Sequence, residues 1–165
     1  MPCIALAIDG GGLRGIIPVL ILKHIEEKVQ ESTQSRRRLV NYFNIVSGTS
    51  TGGLIACGAT LGTNEDTQST KYDFDFIESI YRTRGPEIFP HETRWLVKRY
   101  NKLKNYIRPQ FGKHGIETVL KDIFESTRIL SCIRPIIVTT YDVSCNKPFY
   151  FSSRAAALEP DLNYS

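Results

Sequence analysis

The chain has 165 residues, of which 41% are hydrophobic and 23% charged, with a formal net charge of +4. These values describe a single globular domain with enough chain to bury a core, and they exclude a low-complexity or disordered polymer. No apolar run reaches the roughly 18 residues that a membrane-spanning helix needs.

Residues 3–8 read as a buried strand, and they run straight into the loop Asp9-Gly10-Gly11-Gly12-Leu13-Arg14-Gly15. Residues 16–30 read as a helix, with Ile17, Leu20, Ile21, His24, Ile25 and Lys28 at three-to-four spacing. Pro18 fits that helix only in its first turn. Residues 31–38 read as a polar loop in which Arg36-Arg37-Arg38 are solvated. Residues 42–47 read as a second strand, ending in Gly48-Thr49-Ser50-Thr51-Gly52. Residues 52–61 read as a helix of small residues, among them Gly52, Gly53, Ala56, Gly58 and Ala59, suited to close approach by a neighbouring backbone.

Residues 62–71 read as a polar loop and 74–82 as a helix that Gly85-Pro86 breaks. Residues 90–112 interleave Trp95, Tyr100, Tyr106 and Phe111 with basic side chains and read as a partly helical excursion. Residues 116–124 form a helix with Ile116, Val119, Leu120 and Ile123 on one stripe. Residues 135–141 and 148–152 are strands. Alternating strands and helices predict an α/β fold with a largely parallel sheet, in one domain over residues 1–165.

Cys3, Cys57, Cys132 and Cys145 form neither a C-x-x-C pair nor a zinc-ligand spacing and read as buried, reduced thiols. The N-terminus lacks the basic and apolar regions of a signal peptide. A cytoplasmic protein is expected. The mild positive charge permits contact with an anionic membrane surface, and no nucleic-acid partner is expected.

Two motifs carry the chemistry. Gly48-Thr49-Ser50-Thr51-Gly52 fits G-x-S-x-G, the sharp strand-to-helix turn that lifts a serine hydroxyl clear of a sheet. The glycine loop supplies bare backbone N–H groups at a helix start, where an anion is stabilised. Gly10, Gly12 and Gly15 also satisfy the dinucleotide fingerprint. That site wants an acidic residue about 20 positions on, at the end of the second strand. The second strand ends instead in Ser47-Gly48-Thr49-Ser50. The phosphate loop of actin-like sugar kinases places Thr or Ser after the glycines, where this chain has Leu13, and follows with a hairpin instead of a helix. The third reading pairs the loop with Ser50 as oxyanion hole and nucleophile.

Together these residues resemble the patatin-like phospholipase family, whose hallmark is Asp-Gly-Gly-Gly-x-Arg/Lys-Gly after the first strand, then the serine elbow. Residues 14–22 look like the family's first helix, 135–142 like its later core strand and 148–153 like the strand beyond. The resemblance covers nearly the whole chain. It implies a three-layer α/β/α fold with a largely parallel central sheet. It also implies a lipid acyl hydrolase (phospholipase A or lysophospholipase type) working through a Ser–Asp dyad, without metal or cofactor. Ser50 would be the nucleophile, flanked by Gly48 and Gly52. Gly10, Gly11, Gly12, Leu13 and Arg14 would form the oxyanion hole. Asp9 would hold the loop by accepting backbone hydrogen bonds. The family's dyad aspartate sits in an Asp-Gly-Gly or Asp-Gly-Ala motif, whereas the only Asp-Gly here is Asp9-Gly10. The chain is therefore expected to be an N-terminal portion of such a domain, lacking its C-terminal part and inactive alone. The alternative is a catalytically silent chain that binds lipid or a partner.

Other candidates fit less well. A Ser–acid–His triad could draw on Asp66, Asp73 or Asp75 with His91 or His114, but none of the acids ends a strand. His91 and His114 read as surface or capping residues, His24 as structural, and Asp142 as a loop anchor. Trp95, Leu96 and Val97 between Arg94, Lys98 and Arg99 suit either a membrane surface or an aromatic core contact.

Overall fold

The computed structural model describes residues 2–63, 69–89, 113–159 and 161. Among the described residues four strands form one sheet in the order β1 (Ala5–Ile8), β2 (Ile45–Thr49), β3 (Ile136–Asp142), β4 (Lys147–Ser152). β1, β2 and β3 run parallel and β4 returns antiparallel to β3. The helices are α1 (Ile16–Thr33), α2 (Thr51–Thr60), α3 (Phe74–Ile88), α4 (Lys113–Phe124) and the short α5 (Ser153–Leu158). This is the mixed α/β arrangement that the alternating pattern predicts.

Strand alternation separates the two faces of the sheet. Ile8, Val46 and Ile136 are buried on one face, in a core with Val19 and Leu22 of α1, Ile55 of α2 and Ile77 of α3. Ala5, Ala7, Thr49, Thr139, Tyr141 and Tyr150 point the other way and are exposed. On that face the Thr49 and Thr139 hydroxyls share a hydrogen bond of 2.6 Å across β2 and β3.

Several expectations are corrected. The stripe chosen on α1 is its outer face: Ile17 and Ile21 are each 54% exposed, while Val19 is fully buried. His24 is not structural; it faces solvent, 3.8 Å from Glu27. Helix α1 runs to Thr33, past the predicted loop boundary. Tyr42, the first residue of the second predicted strand, instead closes a 3-10 turn, Leu39–Tyr42, and the strand proper is Ile45–Thr49. That turn is tied to α1 through buried Glu26. Its carboxylate accepts from the Leu39 amide at 2.7 Å and pairs with Arg38 at 3.0 Å. Burial, the largest influence, pushes the Glu26 carboxyl above its ordinary value. Arg37 donates to the Asn41 carbonyl and lies over the Tyr42 ring, so Arg37, like Arg38, is anchored and not simply solvated.

Helix α3 continues through Gly85-Pro86 to Ile88. A proline loses one helical hydrogen bond, a modest loss this near a helix end. A Cβ on the glycine beside it would meet only Leu13 Cδ1, at 2.6 Å, the end of a side chain that can move aside. The cysteines divide. Cys3 and Cys145 are exposed, contrary to expectation, and Cys57 and Cys132 are half-buried. Burial pushes the Cys57 thiol up to about 12 and raises Cys132 as well.

Candidate active site

Parallel pairing sets Ile8 opposite Gly48, so β1 and β2 end side by side and deliver their two loops to one place. The crossing tolerates no side chain. A Cβ on Gly52 would lie 2.1 Å from the Ile8 carbonyl oxygen, one on Gly48 2.2 Å from the Gly52 oxygen, and one on Gly10 2.6 Å from the Thr49 oxygen. Gly10, Gly48 and Gly52 are thus fixed by backbone–backbone contact.

Ser50 is the N-cap of α2 and sits at φ 55° and ψ −125°, a conformation that L residues seldom adopt. Such strain persists only where the surroundings over-determine it, and it concentrates at functional sites. The Ser50 residue is exposed. Its carbonyl accepts from the Gly53 amide at 2.9 Å, closing the first turn of α2, whose positive end faces the serine. Among the described residues no side chain is hydrogen-bonded to the Ser50 hydroxyl.

The glycine loop turns into a 3-10 helix, Gly12–Gly15, which leads into α1. Gly12 has φ 59°, in the left-handed region. The amide of Gly11 donates to Thr51 Oγ1 at 3.2 Å, and that of Arg14 to the Gly11 carbonyl at 3.1 Å. Among the described residues the amides of Gly12 and Leu13 make no hydrogen bond. As first residues of a helical turn they have no carbonyl ahead of them to bond.

Residues that the motifs do not reveal support this arrangement. Phe89, at the end of α3, lies against Gly12, at 3.7 Å from a Cβ built there. The Tyr81 hydroxyl donates to the Thr51 carbonyl at 3.4 Å and leaves no room for a side chain at Gly15, since it would lie 2.5 Å from a Cβ built there. Burial raises the Tyr81 phenol to about 12, so it stays protonated. Thr51 and Tyr81 carry no sequence signal of their own. The spacing that pairs Thr51 with Gly11 exists only once β1 and β2 are adjacent.

The remaining candidates are dispersed. Asp9 is exposed and its carboxylate accepts no hydrogen bond among the described residues, so the expected bracing of the loop is absent. The loop is braced instead through Thr51. Asp142 is a loop anchor, accepting from the Ser144 amide at 2.9 Å and the Ser144 hydroxyl at 2.5 Å, which hold its carboxyl below the usual range. Asp73 caps α3 by accepting from the Phe76 amide at 2.7 Å, and Asp75 pairs with Lys23 at 2.5 Å. Asp66, His91, the His114 side chain and the segment around Trp95 lie outside the described residues. Among the described residues no three His, Cys, Asp or Glu side chains gather as metal ligands, and no helix is long and apolar enough to cross a membrane.

The sequence profile of the patatin-like phospholipase family matches residues 6–160. Patatin-like protein 1 of Arabidopsis thaliana is 32% identical over 158 residues, covering 96% of this chain and 38% of that protein. Patatin-like protein 2 of Oryza sativa subsp. indica is 30% identical over 158 residues, again 96% of this chain and 38% of the relative. Patatin-B1 of Solanum tuberosum is 32% identical over 159 residues with the same coverage. The chain thus spans 38% of the length of each of these relatives.

Proposed function

The chain belongs to the patatin-like phospholipase family, and from that premise we propose that its domain hydrolyses carboxylic esters of lipids through an acyl-enzyme on Ser50. The observation that carries the reading is the juxtaposition of a strained, exposed serine with a glycine loop whose Gly12 and Leu13 amides have no internal partner among the described residues.

In the first half-reaction the Ser50 hydroxyl oxygen attacks the acyl carbon and its proton passes to a base. The carbonyl oxygen becomes an oxyanion, held by the Gly12 and Leu13 amides. Gly10 lets the loop close on the elbow, while Gly11 and Arg14 spend their own amides in shaping it. The C–O bond to the alcohol breaks and the alcohol leaves with the proton. In the second half, water attacks the acyl carbon, its proton passes to the same base, the C–Oγ bond breaks and Ser50 recovers the proton. Losing one oxyanion donor lowers kcat on the order of a hundred-fold or more.

The base is the finer part of the proposal. It is an aspartate of a Ser–Asp dyad, contributed from sequence beyond these residues, since the only Asp-Gly of this chain is Asp9-Gly10, inside the glycine loop. Losing a general base costs several orders of magnitude in rate. The 165-residue chain by itself therefore turns over esters very slowly. A second reading, that the chain binds lipid or a partner without catalysis, is favoured by the lack of a base on the Ser50 hydroxyl among the described residues.

A fluorophosphonate probe tests the first reading on the full-length protein. Labelling that disappears in Ser50→Ala supports it, and labelling indifferent to that substitution defeats it. Ester turnover by the 165-residue chain, lost in Ser50→Ala, would defeat the dyad assignment and the silent reading together.

A further inference from the structure

At the opposite end of the sheet from Ser50 the chain brings two arginines to one oxygen. Arg37 lies in the segment that leads into β2, and Arg134 lies two residues ahead of β3. Parallel pairing of β2 with β3 sets those two entries side by side. Arg37 Nη2 donates to the Asn41 carbonyl at 3.1 Å. Arg134 Nη2 donates to the same carbonyl at 3.3 Å and to Asn41 Oδ1 at 3.1 Å.

Arg37 is held in place on all sides. Its guanidinium carbon lies 5.1 Å from the centre of the Tyr42 ring, its amide donates to Ser35 Oγ at 3.2 Å, and its carbonyl accepts from Gln30 Nε2 at 3.2 Å. Among the described residues neither guanidinium has a carboxylate partner. Glu26, which reaches this segment, is taken up by Arg38 and the Leu39 amide. Arg134 Nε is buried and makes no hydrogen bond among the described residues. A buried donor left so is costly and is ordinarily completed by an acceptor. Exposed Arg36 adds a further positive charge beside Arg37.

We propose that Arg37 and Arg134 hold a phosphate group at this end of the sheet, in a site separate from the one at Ser50. Two cations that share a neutral oxygen repel each other, and an anion placed between them turns that repulsion into attraction. Each guanidinium carries five N–H donors. The contacts with Asn41 use only the Nη2 groups, so most of each fork remains for a ligand. A phosphate monoester brings close to two negative charges and three oxygens that diverge, enough to accept from two forks at once. A carboxylate brings one charge and two oxygens in one plane. The distance from Ser50 separates the two sites. Strand β2 has five residues, a span of about 17 Å, with Asn41 ahead of one end and Ser50 beyond the other. The phosphate held here therefore belongs to a second ligand, and not to the ester attacked at Ser50.

Isothermal titration of the full-length protein with inorganic phosphate, in dilute chloride buffer, tests the site. One phosphate is expected to bind per chain. Arg37→Gln, at an exposed position, should weaken binding at least about tenfold. Asn41→Asp supplies a carboxylate at the point where the two guanidinium groups meet. It should abolish phosphate binding and raise the melting temperature, which separates loss of the ligand from loss of the fold. Arg82→Gln, on α3 and paired with Glu78, is the control and should leave binding unchanged. Absence of phosphate binding, or equal binding by the native protein and Asn41→Asp, would overturn the proposal. If Asn41→Asp does not fold, Arg37→Gln decides, and unchanged binding there overturns it. Co-sedimentation with phosphatidylcholine vesicles, with and without phosphatidic acid, distinguishes the sources of the phosphate. Sedimentation that needs both phosphatidic acid and Arg37 supports a lipid headgroup as the ligand. Phosphate binding without such sedimentation supports a soluble phosphomonoester.

Discussion

A methyl group on Gly10 would sit 2.8 Å from Ser50 Cβ and 2.6 Å from the carbonyl oxygen of Thr49. Neither neighbour is the free end of a flexible side chain, so the loop and the elbow fit together only because Gly10 has no side chain. Gly11 differs: a Cβ there meets only Arg14 Cβ, at an ordinary 3.6 Å, and its φ of 174° is extended backbone.

Gly10→Ala is therefore expected to separate loop from elbow and to lower fluorophosphonate labelling of the full-length protein by a hundred-fold or so, the scale of losing an oxyanion donor. Gly11→Ala should cost far less. Gly12→Ala falls between, strained at φ 59° but meeting only the Phe89 ring at an ordinary 3.7 Å. Rates of labelling for the three variants, measured beside their melting temperatures, check the order. Equal losses at Gly10 and Gly11 would contradict it.

The elbow serine makes a second prediction. With φ 55° and ψ −125°, Ser50 occupies backbone space that glycine visits without penalty. Ser50→Gly should relieve strain on the order of 1–3 kcal/mol and raise the melting temperature, while abolishing labelling. Ser50→Ala should abolish labelling with little gain in stability, because alanine keeps the strained backbone. Equal melting temperatures for the two variants would mean that the elbow is not strained.

The strands and the elbow are legible in the sequence because a short apolar run that stops at glycine fits a buried strand meeting a tight turn and little else. The buried face of α1 is not. Ile16-Ile17-Pro18-Val19-Leu20-Ile21-Leu22 is apolar in every direction but one, so periodicity selects no face, and the expected stripe is the one left in solvent. Gly85-Pro86 misleads for a different reason. A breaker pair says that a helix can end, but here α3 runs on through it to Ile88, packed against the segment around Leu13, which is far away in sequence. The division of the loop amides is likewise invisible in the sequence, since it depends on where Thr51 Oγ1 comes to rest.

The orientation of α1 gives a third prediction. Ile21→Gln, at a position 54% exposed, should change the unfolding free energy of the chain by no more than about 0.5 kcal/mol. Val19→Ala, at a position 0% exposed, removes two methyl groups from the core and should cost about 2 kcal/mol. Urea unfolding of the two variants distinguishes this orientation from the one the periodicity suggests, for which the order would be reversed.

Glu26 makes stability depend on pH. Its carboxylate accepts from the Leu39 amide and pairs with Arg38, and both contacts favour the charged form. Burial outweighs them and raises the carboxyl above its ordinary 4.5. The folded chain then holds this proton more tightly than the unfolded chain does. Below 4.5 both states are protonated and Glu26 contributes no pH dependence. As pH rises from there through the folded value, ionisation is harder in the folded state and stability falls, levelling once both states are charged. Glu26→Gln keeps an oxygen to accept from Leu39 but cannot ionise. The stability of the native chain minus that of Glu26→Gln, from urea unfolding at a series of pH values, isolates this one carboxyl from the others. The difference should decline across that window. Glu26→Ala should be worse at every pH, by about 1–3 kcal/mol, because the Leu39 amide is left buried without an acceptor. A difference that instead grows with pH in favour of glutamate would show that Arg38 outweighs burial and that the carboxyl is held below its ordinary value.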